Sequence, residues 1–77
     1  MKKEEFLENL QDVLQRDEEC LENDILETYS EWDSLSKMAM MAFFDQNFNI
    51  RLTIADFDNL TSVKQLMDLA KDKIDAV

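Results

Sequence analysis

Ser34 is the residue best placed to carry chemistry. It lies between Asp33 and Leu35, where an acidic stretch gives way to an apolar one. Asp and Ser are both good helix N-caps, so the pattern predicts a helix beginning at Asp33 or Ser34. A serine in that position is suited to hold a phosphoester. The unpaired N–H groups and the dipole of a helix N-terminus both favour an anion. Taken alone, Asp33-Ser34-Leu35 is weak, because an N-cap and its neighbours account for it as well.

Other chemistries find less support. The chain has no histidine, which removes the usual general base, the Ser/His and Cys/His pairs and the commonest zinc ligand. Cys20 is the only cysteine, so no internal disulfide is possible and a reducing compartment is expected. Glu18, Glu19 and Glu22 surround it in sequence, and their charge is expected to hold the thiol protonated and inert. Asp45, Asn47, Asn49 and Asp56 fall at positions one, three, five and twelve of an EF-hand calcium loop. Position six needs Gly and holds Ile50, position twelve is Asp where Glu is usual, and Arg51 follows. Calcium binding is therefore a lesser alternative. No catalytic residue and no metal ligand is assigned, and the protein is not expected to be an enzyme.

The elements that must position Ser34 are helical. The 77 residues suit one domain, and a chain with no Gly and no Pro is a poor candidate for tight β-hairpins. Phe6, Leu7, Leu10, Val13 and Leu14 recur at helical spacing and predict a first helix over about residues 3–15. Residues 16–33 lose that period. They hold eight of the 18 acidic residues, and after Arg16 no basic residue offsets them. This is expected to be a long connection anchored by Leu21, Ile25, Leu26, Tyr29 and Trp32, with a short helix around 22–28 as an alternative. Residues 38–44 are apolar throughout, too many for one stripe, and the second helix is expected to fray near Asn47 and Asn49. Leu52, Ile54 and Phe57 mark a short third element. A last helix opens at Thr61 or Ser62, where Ser62 and Gln65 fit a capping box and Val63, Leu66, Met67, Ala70 and Ile74 supply the apolar face.

The net charge of −10 disfavours nucleic acid and anionic membrane surfaces, and favours a basic partner or a cation. No stretch is long and apolar enough to span a bilayer, and the opening residues lack an apolar signal core. A cytoplasmic protein without membrane insertion is the expectation.

Here the sequence resembles the acyl and peptidyl carrier protein family, over nearly its whole length. Asp33-Ser34-Leu35 matches the family's Asp-Ser-Leu at the start of the second helix. Phe48 closes that helix, Leu52 follows in the usual apolar position, and Leu60-Thr61-Ser62-Val63 leads into the last helix. The resemblance implies an all-α fold: a four-helix bundle with a long first loop and a short third helix, over residues 1–77. It implies that a phosphopantetheinyl transferase attaches 4′-phosphopantetheine to Ser34, with Asp33 and Leu35 forming the recognition motif. The arm would hold an acyl or aminoacyl group as a thioester, and a monomeric protein would deliver it to activating and transfer enzymes. Met38, Met41 and Phe44 are candidates for lining a space for the cargo, although ordinary core explains them better.

The chain departs from the family at several places. Glu31 stands where Gly is usual, and Trp32 where smaller residues are usual. Ser36 and Ala39 replace the acidic residues that commonly follow the serine. The charge therefore sits in the first loop, while the second helix is neutral and apolar. Partners are expected to grip Leu35, Met38 and Ala42, with Glu27 and Glu31 assisting encounter. A cofactor-free acidic interaction module using the same helix is the alternative reading.

Overall fold

The computed structural model describes residues 1–75. In chain order it has α1 (Lys3–Leu14), a 3₁₀ turn (Leu26–Thr28), α2 (Ser34–Phe48), α3 (Ile54–Asp58) and α4 (Val63–Asp68). No strand forms among the described residues, only isolated bridges pairing Lys2 with Asp75 and Ile25 with Ser62. The fold is small and all-α, and no helix among these residues is long and apolar enough to cross a membrane.

α1 follows its sequence pattern. Phe6, Leu10 and Leu14, each one turn apart, are buried, and Leu7 and Val13 flank them half-buried. The helix stops at Gln15, which takes the left-handed conformation (φ 57°), and the Arg16 N–H returns to the Gln11 carbonyl at 3.1 Å. α2 stops the same way at Asn49 (φ 56°), with the Ile50 N–H on the Phe44 carbonyl at 3.3 Å. A chain without Gly must use other residues there, and Asn tolerates the conformation better than most.

The apolar run in α2 resolves into a narrow buried stripe. Ser36, Met40, Phe44 and Phe48, every fourth residue, face the core. Phe6 lies 6.0 Å from Phe44 and 6.4 Å from Phe48 in stacked geometry, and Phe57 of α3 stacks on Phe44 at 6.2 Å. These rings join three elements through one aromatic column.

The first loop departs from expectation at two anchors. Cys20, Leu26 and Tyr29 are buried and Trp32 half-buried, but Leu21 is 55% exposed and Ile25 40%. Residues 21–24 turn, with Asp24 N–H on the Leu21 carbonyl (3.0 Å), and the backbone is extended at Ile25 beside the start of α4. Leu26 N–H donates to the Thr61 carbonyl (2.9 Å), while Val63 and Lys64 N–H donate to the carbonyls of Asp24 (3.0 Å) and Glu22 (2.9 Å). Neighbouring side chains in an extended segment point to opposite sides, so Leu26 goes in and Ile25 goes out. The helix considered for 22–28 shrinks to the 3₁₀ turn because these carbonyls already serve α4.

α4 opens at Ser62, whose Oγ accepts from Gln65 N–H (3.2 Å), but the Gln65 side chain returns to Thr61 N–H (2.6 Å), not to Ser62. Its apolar face is buried through Ile74, yet the helix ends at Asp68. Tighter bonds carry the chain onward, such as Ala70 N–H to the Met67 carbonyl (3.0 Å) and Lys73 N–H to the Ala70 carbonyl (2.8 Å). The segment then pairs with the start of the chain, with Asp75 N–H donating to the Met1 carbonyl at 2.8 Å.

Candidate functional site

The start of α2 is fixed by two residues, and Ser34 is not one of them. Asp33 is the N-cap, in extended conformation (φ −127°, ψ −175°). Its carboxylate accepts Ser36 N–H at 2.9 Å, and Ser36 Oγ accepts Asp33 N–H at 2.9 Å in return. The Ser36 hydroxyl also donates to the Asp33 carbonyl at 3.0 Å. This closed capping box satisfies the turn. The Ser36 backbone N–H holds the Asp33 carboxyl below its usual range, so it is ionised at neutral pH.

Ser34 occupies the first helical position. Its side chain is exposed and makes no hydrogen bond among the described residues. The cap that either residue could have supplied falls to Asp33, because only the residue preceding the first helical one can aim its side chain back at the N–H groups.

Beside Ser34 lies an uncovered apolar stripe. Leu35 is 77% exposed and Met38 59%, and Ala39 and Ala42 continue the same face at three- and four-residue spacing. A shallow groove of about 370 Å³ separates Leu35 and Ala39 from Val13 and Leu14 at the end of α1, with Glu31 and Asp33 at its edge. Met38, Met41 and Phe44 do not line a common space. Met38 faces solvent, Met41 is half-buried, and Phe44 is sealed within the aromatic column. Lys37 turns away to Asp58 on α3 (3.1 Å), with its ammonium 5.8 Å from the Trp32 ring, which leaves the ionised Asp33 as the charge at the edge of the stripe.

The two loop carboxylates differ. Glu27 is exposed, whereas Glu31 is half-buried and paired with Arg16 at 3.0 Å. Arg16 also approaches Glu18 (3.7 Å) and lies over the Tyr29 ring, 3.8 Å from its centre. Tyr29 OH donates to Asp24 at 2.6 Å. Within this cluster the charge of Glu31 is paired with that of Arg16. Only the signal that Arg16 is the last cation before eight carboxylates pointed to it. Burial first, then the bond to Asp24, pushes the Tyr29 phenol well above its usual range. Burial also raises the Cys20 thiol, while Tyr29 and Arg16 act in the opposite direction. The direction matches the sequence expectation, but burial is the cause, not Glu18, Glu19 or Glu22.

The calcium-loop positions do not form a loop. Asp45 and Asn47 are inside α2, Asn49 is its left-handed cap, and Asp56 accepts from Thr53 N–H (2.8 Å) and Thr53 Oγ (3.1 Å). A twelve-residue calcium loop needs its first, third and fifth residues wrapped around the ion, which helical backbone does not permit. Among the described residues no three His, Cys, Asp or Glu side chains group as a metal would require.

Compared with known proteins, the chain matches no family model, no curated protein and no solved structure.

Proposed function

We propose that the protein is a carrier of the acyl or peptidyl carrier type, a four-helix bundle that holds its cargo on a 4′-phosphopantetheine arm at Ser34. One observation carries this reading. Ser34 presents a free, exposed hydroxyl on the first turn of α2, because Asp33 and Ser36 perform the capping. The residues fit the group: the Ser34 side chain is open to solvent, and Leu35 and Met38 offer apolar surface beside it. Bound there, the arm supplies a thiol on which an acyl or aminoacyl group is held as a thioester. The protein contributes the attachment oxygen, a rigid helix start and a docking face.

That face is Leu35, Met38 and Ala42, and its partners are a phosphopantetheinyl transferase and the acyl- or aminoacyl-activating and transfer enzymes. Contact there is apolar, with Glu27 and the rest of the acidic loop assisting encounter. The exposed stripe also suits a cofactor-free interaction module, which intact mass distinguishes. Coexpressed with a broad-specificity transferase, the protein gains one phosphopantetheine and Ser34→Ala gains none. An unmodified protein across several transferases, or an arm on Ser30, Ser36 or Ser62, overturns the assignment.

A further inference from the structure

A second groove lies away from Ser34, between α1 and the first loop. It has a volume of about 350 Å³, with Leu7 and Leu21 over Cys20 forming its apolar part and Glu4, Glu8 and Glu19 standing around it. The three carboxylates are exposed, and no Lys or Arg lines the groove. Leu21 is 55% exposed and lines the groove, outside the buried core cluster. The end of α1 beside Leu35 begins at Val13 and Leu14. The second groove takes Glu4, Leu7, Glu8 and Gln11 from α1, so it ends about one turn before Leu14. The two grooves share no lining residue.

We infer that this groove docks a basic, amphipathic segment of a partner protein: large apolar side chains between Leu7 and Leu21, with Lys or Arg against Glu4, Glu8 and Glu19. Charge complementarity selects the occupant. An apolar floor inside a ring of carboxylates rewards an apolar residue flanked by cations and repels anionic ones. A second copy of this chain carries a net charge of −10 and is disfavoured by the same field. Beside the exposed α2 stripe stand two carboxylates, Asp33 and Glu31, and Glu31 is paired with Arg16. The inference does not depend on the arm at Ser34.

The test uses the unmodified Ser34→Ala protein and three synthetic twelve-residue peptides. One has two leucines four residues apart flanked by arginines, one replaces the leucines with serine, and one replaces the arginines with glutamate. Saturable binding of the first is expected, with the largest amide shifts in nuclear magnetic resonance titrations at Leu7, Gln11 and Leu21. The serine peptide should bind at least about tenfold more weakly, and the glutamate peptide not measurably. Leu21→Ser should weaken the first peptide by about tenfold at an unchanged melting temperature. Glu8→Lys, on the exposed side of α1, should lower its on-rate and salt dependence, and it serves if Leu21→Ser folds poorly. Equal binding of the serine peptide, shifts centred on Leu35 and Met38, or no saturable binding overturns the inference. So does self-association that Leu21→Ser abolishes, which would give the groove to a second copy.

Discussion

Replacing the two serines at the start of α2 separates a structural hydroxyl from a functional one. Ser36 is only 8% exposed, and its Oγ accepts Asp33 N–H at 2.9 Å and donates to the Asp33 carbonyl at 3.0 Å. Ser36→Ala removes both bonds and half of the capping box. Asp33 N–H keeps a second acceptor, the Glu31 carbonyl at 3.1 Å, so no donor is fully orphaned. The expected loss is therefore near the middle of the range for one capping interaction, about 1 kcal/mol. In a domain of this size that lowers the melting temperature by about 4–8 °C. Ser34→Ala removes an exposed hydroxyl with no partner and installs a better helix former. Its effect should lie within about 0.5 kcal/mol of zero. Urea denaturation followed by far-ultraviolet circular dichroism, with intact mass after transferase coexpression, gives both readouts on each variant. Ser36→Ala should be less stable yet modified, and Ser34→Ala stable yet unmodified. If Ser34→Ala lost as much stability as Ser36→Ala, Ser34 would be a structural cap and its free hydroxyl would carry no functional argument.

Phe48→Ala should cost about 3–5 kcal/mol in the same denaturation assay, because its ring is buried 5.4 Å from Phe44 and 5.8 Å from Phe43; a loss within error of zero would contradict the aromatic column. Met38→Ala should leave the melting curve unchanged, since Met38 is 59% exposed, while slowing cargo transfer; a proportional loss of both would place Met38 in the core instead. Glu31→Gln should destabilise the first loop by leaving Arg16 against Tyr29 with a weaker partner, whereas Glu27→Gln should change only salt-dependent association. With the Tyr29 phenol raised in the folded state, its contribution is fully present below the ordinary value of 10.0 and is lost as pH rises above it; Tyr29→Phe should flatten the alkaline limb of the stability profile. The Asp33 carboxyl is lowered from 3.8, so its contribution is present above that pH and fades as pH falls below it; Asp33→Asn should flatten the acid limb.

The sequence by itself determined the elements whose signals are local. Phe6, Leu10 and Leu14 at four-residue spacing specify the buried face of α1, and Asp33 before Ser34 marks the start of α2, because a period and a cap depend only on neighbouring residues. The run of residues 38–44 carried no period, so packing alone decided that Met40 and Phe44 go inward and Met38 faces solvent. Distant backbone partners made the other choices. Residues 22–26 bond to the start of α4, and residues 73–75 bond to the start of the chain beyond the helix end at Asp68. Arg16 neutralises Glu31 across fifteen residues because the left-handed turn at Gln15 redirects the chain toward Tyr29. Apolar burial is non-directional and can be satisfied by many arrangements, so composition alone does not choose among them. Hydrogen bonds and ion pairs between distant segments do, and their partners are set only when the chain is folded.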